Sequence, residues 1–212
     1  LHIAIIALGS ILISFLLLFF IISKIEKRLI EERKNDCVIT AREISKVIEN
    51  SNSLDLICTL YGNEFLSLDS SRIIDKYFSE LVEETLTELN GLEGGIYVKG
   101  LGDFVGYAFP TSPPPYPVYG PPPRSHKLIE EQAIITIEKG KDIVNVHAFD
   151  PAIFPLATVP LYNNNTIIGS VWVRVHIERE LPLTKLKRVV NFVTIISVVG
   201  FVVMAMFSFF LR

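Results

Sequence analysis

Two cysteines, Cys37 and Cys58, are all that 212 residues supply, too few for a disulfide framework. On a continuous helix they would lie about 30 Å apart, far beyond bridging reach, and neither has the neighbours of a metal site. An excess of charge of one sign is also missing. Twenty lysines and arginines stand against 23 aspartates and glutamates, a net charge of −3, so there is no electrostatic footprint for nucleic acid. Catalytic signatures are absent too. Serine, histidine and aspartate occur without a nucleophile elbow. Gly94-Gly95 and Gly100-Leu101-Gly102 are turn glycines with no Gly-Lys-Ser/Thr after them. His126, His147 and His176 fall on different elements without Asp or Glu at metal-ligand spacing. The segment reads as non-catalytic, with no metal and no cofactor.

Charge vanishes from two long runs. In Leu1–Ser23 the only ionisable side chain is His2, and Val189–Leu211 has none. Each run is long enough, at about 1.5 Å per helical residue, to cross a hydrocarbon core of about 30 Å. A secretory signal fits the first run poorly. Its apolar stretch exceeds the roughly 7–15 residues of a signal core, and no A-x-A-like site precedes Lys24. Both runs are expected to span a membrane, with residues 1–23 and 189–211 as the two helices. The chain opens on Leu1 and closes on Arg212, so a short leader and an output domain are expected outside it.

The residues between the runs read as one water-soluble domain of ordinary size. They divide into a helical stalk with packing helices (24–90), a core (91–180) and a connector (181–188). Lys24, Lys27, Arg28, Arg33 and Lys34 follow the first run, and Lys185, Lys187 and Arg188 precede the second. By themselves these cations would hold the domain in the cytoplasm, but the positive-inside rule governs short loops, and long domains translocate largely regardless of charge.

Within the domain, Lys24 to about Asn50 continues the first run as helix, a rod of roughly 70 Å from Leu1. Its stripe Ile30, Cys37, Ala41, Ile44 and Ile48 suits either the domain's own sheet or the same helix of a second subunit. At a dimer seam, Cys37 would cross-link subunits on oxidation. Ser51-Asn52-Ser53 and Gly62-Asn63 read as loop and turn, and a second helix runs from Asp69–Ser71 to Asn90-Gly91. The period then becomes two. Gly94–Val98 and Phe104–Phe109 form a hairpin, and Pro110–Pro123 is a proline-rich surface loop of polyproline II type. Ser125 caps a helix from His126 to Lys139, ended by Gly140. Strands follow at Asp142–Phe149, Phe154–Tyr162 and Thr166–Ile177, the last two joined at Asn163-Asn164-Asn165. Trp172, Arg174 and His176 alternate on one strand face, which is expected not to be fully dry. Glu178–Arg188 connects to the second run.

This order gives an α+β fold: a five-stranded antiparallel sheet behind a long N-terminal helix, flanked by two transmembrane helices. Together with the run Glu93-Gly94-Gly95-Ile96-Tyr97 and with Phe104-Val105-Gly106-Tyr107-Ala108-Phe109-Pro110-Thr111, it resembles the extracytoplasmic PAS-like (single Cache, or PDC) sensor regions of bacterial transmembrane histidine kinases. The resemblance implies an extracytoplasmic domain in a two-pass, homodimeric cell-membrane receptor of a two-component system. It also implies a histidine kinase beyond Arg212, although no kinase motif and no amino-acid-binding signature of double Cache domains occurs here. A ligand, a small molecule or peptide, would sit between the concave sheet face and the elements over it. Tyr97, Tyr107, Arg124, His126, His147, Trp172 and Arg174 are the candidate ligand-binding residues. Arg124 suits a carboxylate or phosphate, and His126 adds charge when protonated. The expected signal is a shift of the last strand and the 178–188 connector relative to the first helix. Two other readings stay open. One is a membrane scaffold that binds a protein through the Pro-Tyr loop; the other is the sensor of a chemotaxis transducer or cyclic-dinucleotide enzyme.

Overall fold

A computed structural model describes residues 2–51, 68–86, 91–99, 102–110, 123–149, 152–175, 177 and 183–210. The Ser51–Ser53 loop beyond its first residue, the Gly62-Asn63 turn, most of the proline-rich loop, His176 and the start of the connector lie outside these residues.

The chain forms two compact units. Leu1–Glu31 and Leu181–Arg212 make the first, and Glu32–Glu180 the second. The first unit holds all of α4 (Leu183–Phe210) and the N-terminal part of α1 (His2–Asn50). Within α4, Val189–Phe207 is 19 residues of mean hydropathy 2.5, by length and composition enough to cross a membrane. Both helices turn large apolar side chains outward, among them Ile13, Leu17 and Phe20 of α1 and Phe192, Ile195 and Phe207 of α4. Gly9 leaves room beside the Phe201 ring, and Ile22 and Val190 are buried.

The second unit contains the rest of α1, α2 (Leu68–Leu86), β1 (Leu92–Val98), β2 (Asp103–Ala108), α3 (Pro123–Lys139), β3 (Ile143–Phe149), β4 (Ala152–Asn163) and β5 (Thr166–Val175). The strands form one antiparallel sheet in the order β2-β1-β5-β4-β3. This is the PAS-like α+β arrangement, with its long helix first. Several boundaries follow local chemistry. Gly140 closes α3 at φ +59°, its N–H bonded to Thr136 O at 2.9 Å. Asn164 and Asn165, both at positive φ, make the tight turn between β4 and β5. The helix over the sheet begins at Pro123 rather than after Ser125, because proline is well suited to a first helical position.

The stripe on α1 packs on its own sheet. Cys37, Ala41, Ile44 and Ile48 are buried, Cys37 Sγ donates to Pro155 O at 3.8 Å, and Ser45 Oγ donates to Pro160 O at 3.3 Å. Cys37 is therefore not at a dimer seam, and burial pushes its thiol pKa far up. On the same side, α2 lays Phe78, Val82 and Leu86 inward. It is pinned by Asp75, whose Oδ1 accepts the Gly106 N–H at 2.8 Å. The other face, under α3, carries the polar groups.

Candidate functional site

Strand periodicity sends Leu92, Gly94, Ile96 and Val98 to the α2 side and Glu93, Gly95 and Tyr97 to the α3 side. Glu93 thus lies under the centre of a packed sheet, where an unpaired carboxylate would be very costly. Its register partner on β5 is Arg174. The Arg174 Nε donates to Glu93 Oε1, and both side chains are buried. Tyr107 OH donates to Glu93 Oε2 at 2.6 Å. The Arg174 guanidinium lies over the Phe154 ring, 5.4 Å from its centroid, a cation–π contact.

Phe154 pairs with His147 on β3, with ring centroids 5.7 Å apart. His147 leads to a second cluster, built around Gln132 of α3. Gln132 Nε2 donates to Ile143 O at 3.2 Å, Leu156 O at 3.0 Å and Thr158 Oγ1 at 3.2 Å. Two carbonyls around that nitrogen fix the amide orientation, so Oε1 is the acceptor for Asn145 Nδ2 at 3.0 Å and His147 Nε2 at 3.2 Å. His147 therefore carries its proton on Nε2 when neutral. Burial lowers its pKa and favours that neutral form. Thr136 and Thr158 hydroxyls, 2.5 Å apart, complete the cluster.

An aromatic group adjoins the first cluster through Tyr107. Trp172 stacks on Tyr107, with centroids 5.9 Å apart and planes at 17°. Phe104 meets Trp172 and Tyr97 edge-on. The indole fits because its register partner is glycine: a Cβ on Gly95 would stand 3.0 Å from Trp172 Nε1. Trp172 is completely buried, yet no described residue accepts from its Nε1. Tyr97 is likewise buried, and its phenol pKa is raised, first by desolvation and then by Glu130 and Asp103.

Five of the seven expected site residues, Tyr97, Tyr107, His147, Trp172 and Arg174, therefore share this face. His126 sits at its rim, edge-on to Phe104 at 4.5 Å, with Asp103 3.9 Å and Glu130 4.0 Å from its ring nitrogens. Arg124 lies in α3, and its side chain is outside the described residues. One expectation is corrected. The Trp172 and Arg174 side of β5 is dry, because Glu93 neutralises the arginine from within the chain. Sequence reasoning missed Glu93, Gln132, Thr158 and Phe154. Glu93 could have been found as a lone charge beside an apolar strand pattern. Gln132 could have been found as an amide in the Ile129, Ala133, Thr136, Ile137 stripe.

No protein-family model matches the chain, and no curated protein sequence matches it. Solved structures do resemble it. The ligand-binding domain of the Campylobacter jejuni chemoreceptor Tlp3, in complex with L-valine, is 13% identical at a TM-score of 0.48, covering 85% of this chain and 66% of that one. The extracellular domain of mmHK1S-Z2, a protein named as a histidine kinase, is 14% identical at 0.36, covering 78% and 60%. The ligand-binding domain of the Pseudomonas aeruginosa PAO1 amino acid chemoreceptor PctC, in complex with GABA, is 12% identical at 0.34, covering 66% and 57%. This chain thus spans just under two thirds of the Tlp3 domain's length.

Proposed function

We propose that this chain is the sensory and membrane-spanning part of a two-pass, homodimeric signalling receptor. Its second unit lies outside the cytoplasm, and its output, beyond this chain, is a histidine kinase. The observation that carries the reading is the buried polar and aromatic constellation under α3, in a PAS-like sheet whose chain is flanked by helices with exposed apolar surfaces. A scaffold that binds only through a surface loop needs no charged and amide groups converging inside its core. The flanking runs, residues 1–23 and 189–211, are the proposed spans, with 24–90 as stalk and packing helices, 91–180 as sensor core and 181–188 as connector.

The relay follows chain connectivity. Trp172 and Arg174 are on β5, and β5 leads within a few residues to α4. A ligand that engages those side chains more tightly in one arrangement of β5 biases the position of α4 by that difference in affinity. Two experiments test this. Alkaline phosphatase fused within the Gly100–Gly102 turn should be active, and a fluorescent protein fused after Arg212 should fluoresce; the reverse pattern defeats the topology. A thermal-shift screen of the full chain in nanodiscs, against small carboxylates, phosphates, amines and sugars at two pH values, should yield at least one saturable stabiliser. A cooperatively melting protein that responds to none would defeat small-molecule sensing.

A further inference from the structure

We propose that the site under α3 takes a small uncharged ligand, one with a flat aromatic or apolar body and a carbonyl-type acceptor received by Trp172 Nε1–H. This rests on the sensing reading above and narrows it. Among the described residues, the buried charges of the site are already spent on one another. Arg174 is committed to Glu93 and to the Phe154 ring, and Glu93 holds both Arg174 and the Tyr107 hydroxyl. A carboxylate ligand reaching Arg174 must displace Glu93 and strand a buried anion. An ammonium reaching Glu93 must strand a buried guanidinium. Either exchange loses more than it gains unless the ligand restores both partners. His147 supplies no cation, because burial favours its neutral form and its Nε2 proton already serves Gln132. At the rim, His126 faces two acids, Asp103 and Glu130.

The donor left over is the indole N–H of Trp172, fully buried and without an acceptor among the described residues. Around it are Tyr107 stacked, Phe104 edge-on with Tyr97 against it, the Gly95 backbone, and the aliphatic Ile129, Ala133 and Leu156 of the same buried cluster. A buried N–H left unmade is costly, whereas an acceptor on a neutral ligand satisfies it without adding charge.

Trp172 is the only tryptophan in the chain, so its emission reports this site directly. Benzamide, benzoate and benzylammonium, nearly the same shape with charges of zero, minus one and plus one, are titrated into the full chain in nanodiscs. Emission and melting temperature are recorded together. Benzamide should give a saturable change, with the two ions at least about tenfold weaker. Trp172→Phe keeps an aromatic ring but removes the N–H, and should weaken the benzamide affinity, read from melting temperature against benzamide concentration, about fivefold, the worth of one hydrogen bond. Gly95→Ala, which crowds the indole without touching the ion pair, should weaken it as well. Equal or tighter binding of an ion overturns the inference and leaves sensing intact, as does a Trp172→Phe variant that binds benzamide unchanged. Silence from all three probes, alongside a hit in the wider screen, also overturns the inference alone. Silence in both experiments removes both.

Discussion

Glu93→Gln should be the most damaging isosteric change in the second unit. Glu93 and Arg174 side chains are 1% and 3% exposed and stand directly opposite on β1 and β5. The amide keeps the shape and most of the hydrogen bonding but cancels the anion, leaving a guanidinium against Phe154 with no counter-charge among the described residues. Removing one member of a buried pair costs about 3–5 kcal/mol. Because the amide still accepts from Arg174, the lower end, about 3 kcal/mol, is expected. In a unit of this size about 1 kcal/mol moves the melting point by roughly 2–4 °C, so the loss should be about 6–12 °C. Melting is followed in nanodiscs by Trp172 emission and circular dichroism, and the companion variant is Glu93→Leu with Arg174→Met. Replacing both charges with apolar groups should restore stability to within about 1–2 kcal/mol of the starting protein, since such swaps are often neutral or better. A single-variant loss below about 1 kcal/mol, or a double variant as unstable as the single, would refute the buried pair as described.

Three further outcomes are expected. With Cys58 replaced by serine, Cys37 should resist maleimide in the native chain and react once denatured, since it is fully buried and its thiol is held protonated; equal rates in the two states would contradict its packing. His147 is held below its usual 6.5 by burial. The unfolded chain therefore takes up that proton first on acidification, so this stability is complete above pH about 6.5 and is lost as pH falls toward the folded value. His147→Gln should flatten the melting-temperature slope between pH about 7.5 and 5, and an unchanged slope would exclude His147 as its source. Gly106→Ala should cost more than Gly102→Ala in the same melts. Both glycines have φ above +60°, a strain of about 1–2 kcal/mol for alanine. Only the Gly106 methyl would strike Phe78, at 2.7 Å from its Cβ. Equal losses would show that α2 yields.

Local signals in the sequence were sufficient for most elements. Gly140 and the Asn163–Asn165 turn mark boundaries through backbone conformations that few residues adopt, and α1, α3 and all five strands lie close to their expected positions. The site was legible only as a set of residue types. Tyr107, Trp172 and Arg174 look like ligand contacts in the sequence because nothing local reveals what else holds them. Arg174 is paired with a residue 81 positions earlier, and that partnership exists only once β1 lies beside β5. The same non-local pairing explains the expectation of a wet strand face. The sequence shows an exposed-looking alternation of Trp172, Arg174 and His176, while the charge that dries it comes from Glu93. Gln132 was hidden in a similar way. Its place in an apolar helical stripe marks it as buried but does not reveal its partners, and its five contacts come from β3 and β4.

The place of β5 in the sheet has a consequence for synthesis. It lies between β1 and β4, so the two earlier hairpins, β1–β2 and β3–β4, share no strand pairing until it arrives. A nascent chain that stops short of Val175 therefore leaves two ribbons with raw edges and a half-made core, the kind of surface that recruits chaperones and aggregates. The next regular element to emerge is the apolar helix α4. The last strand to leave the ribosome is thus the keystone of the sheet, and the domain closes only as its second flanking helix is being made.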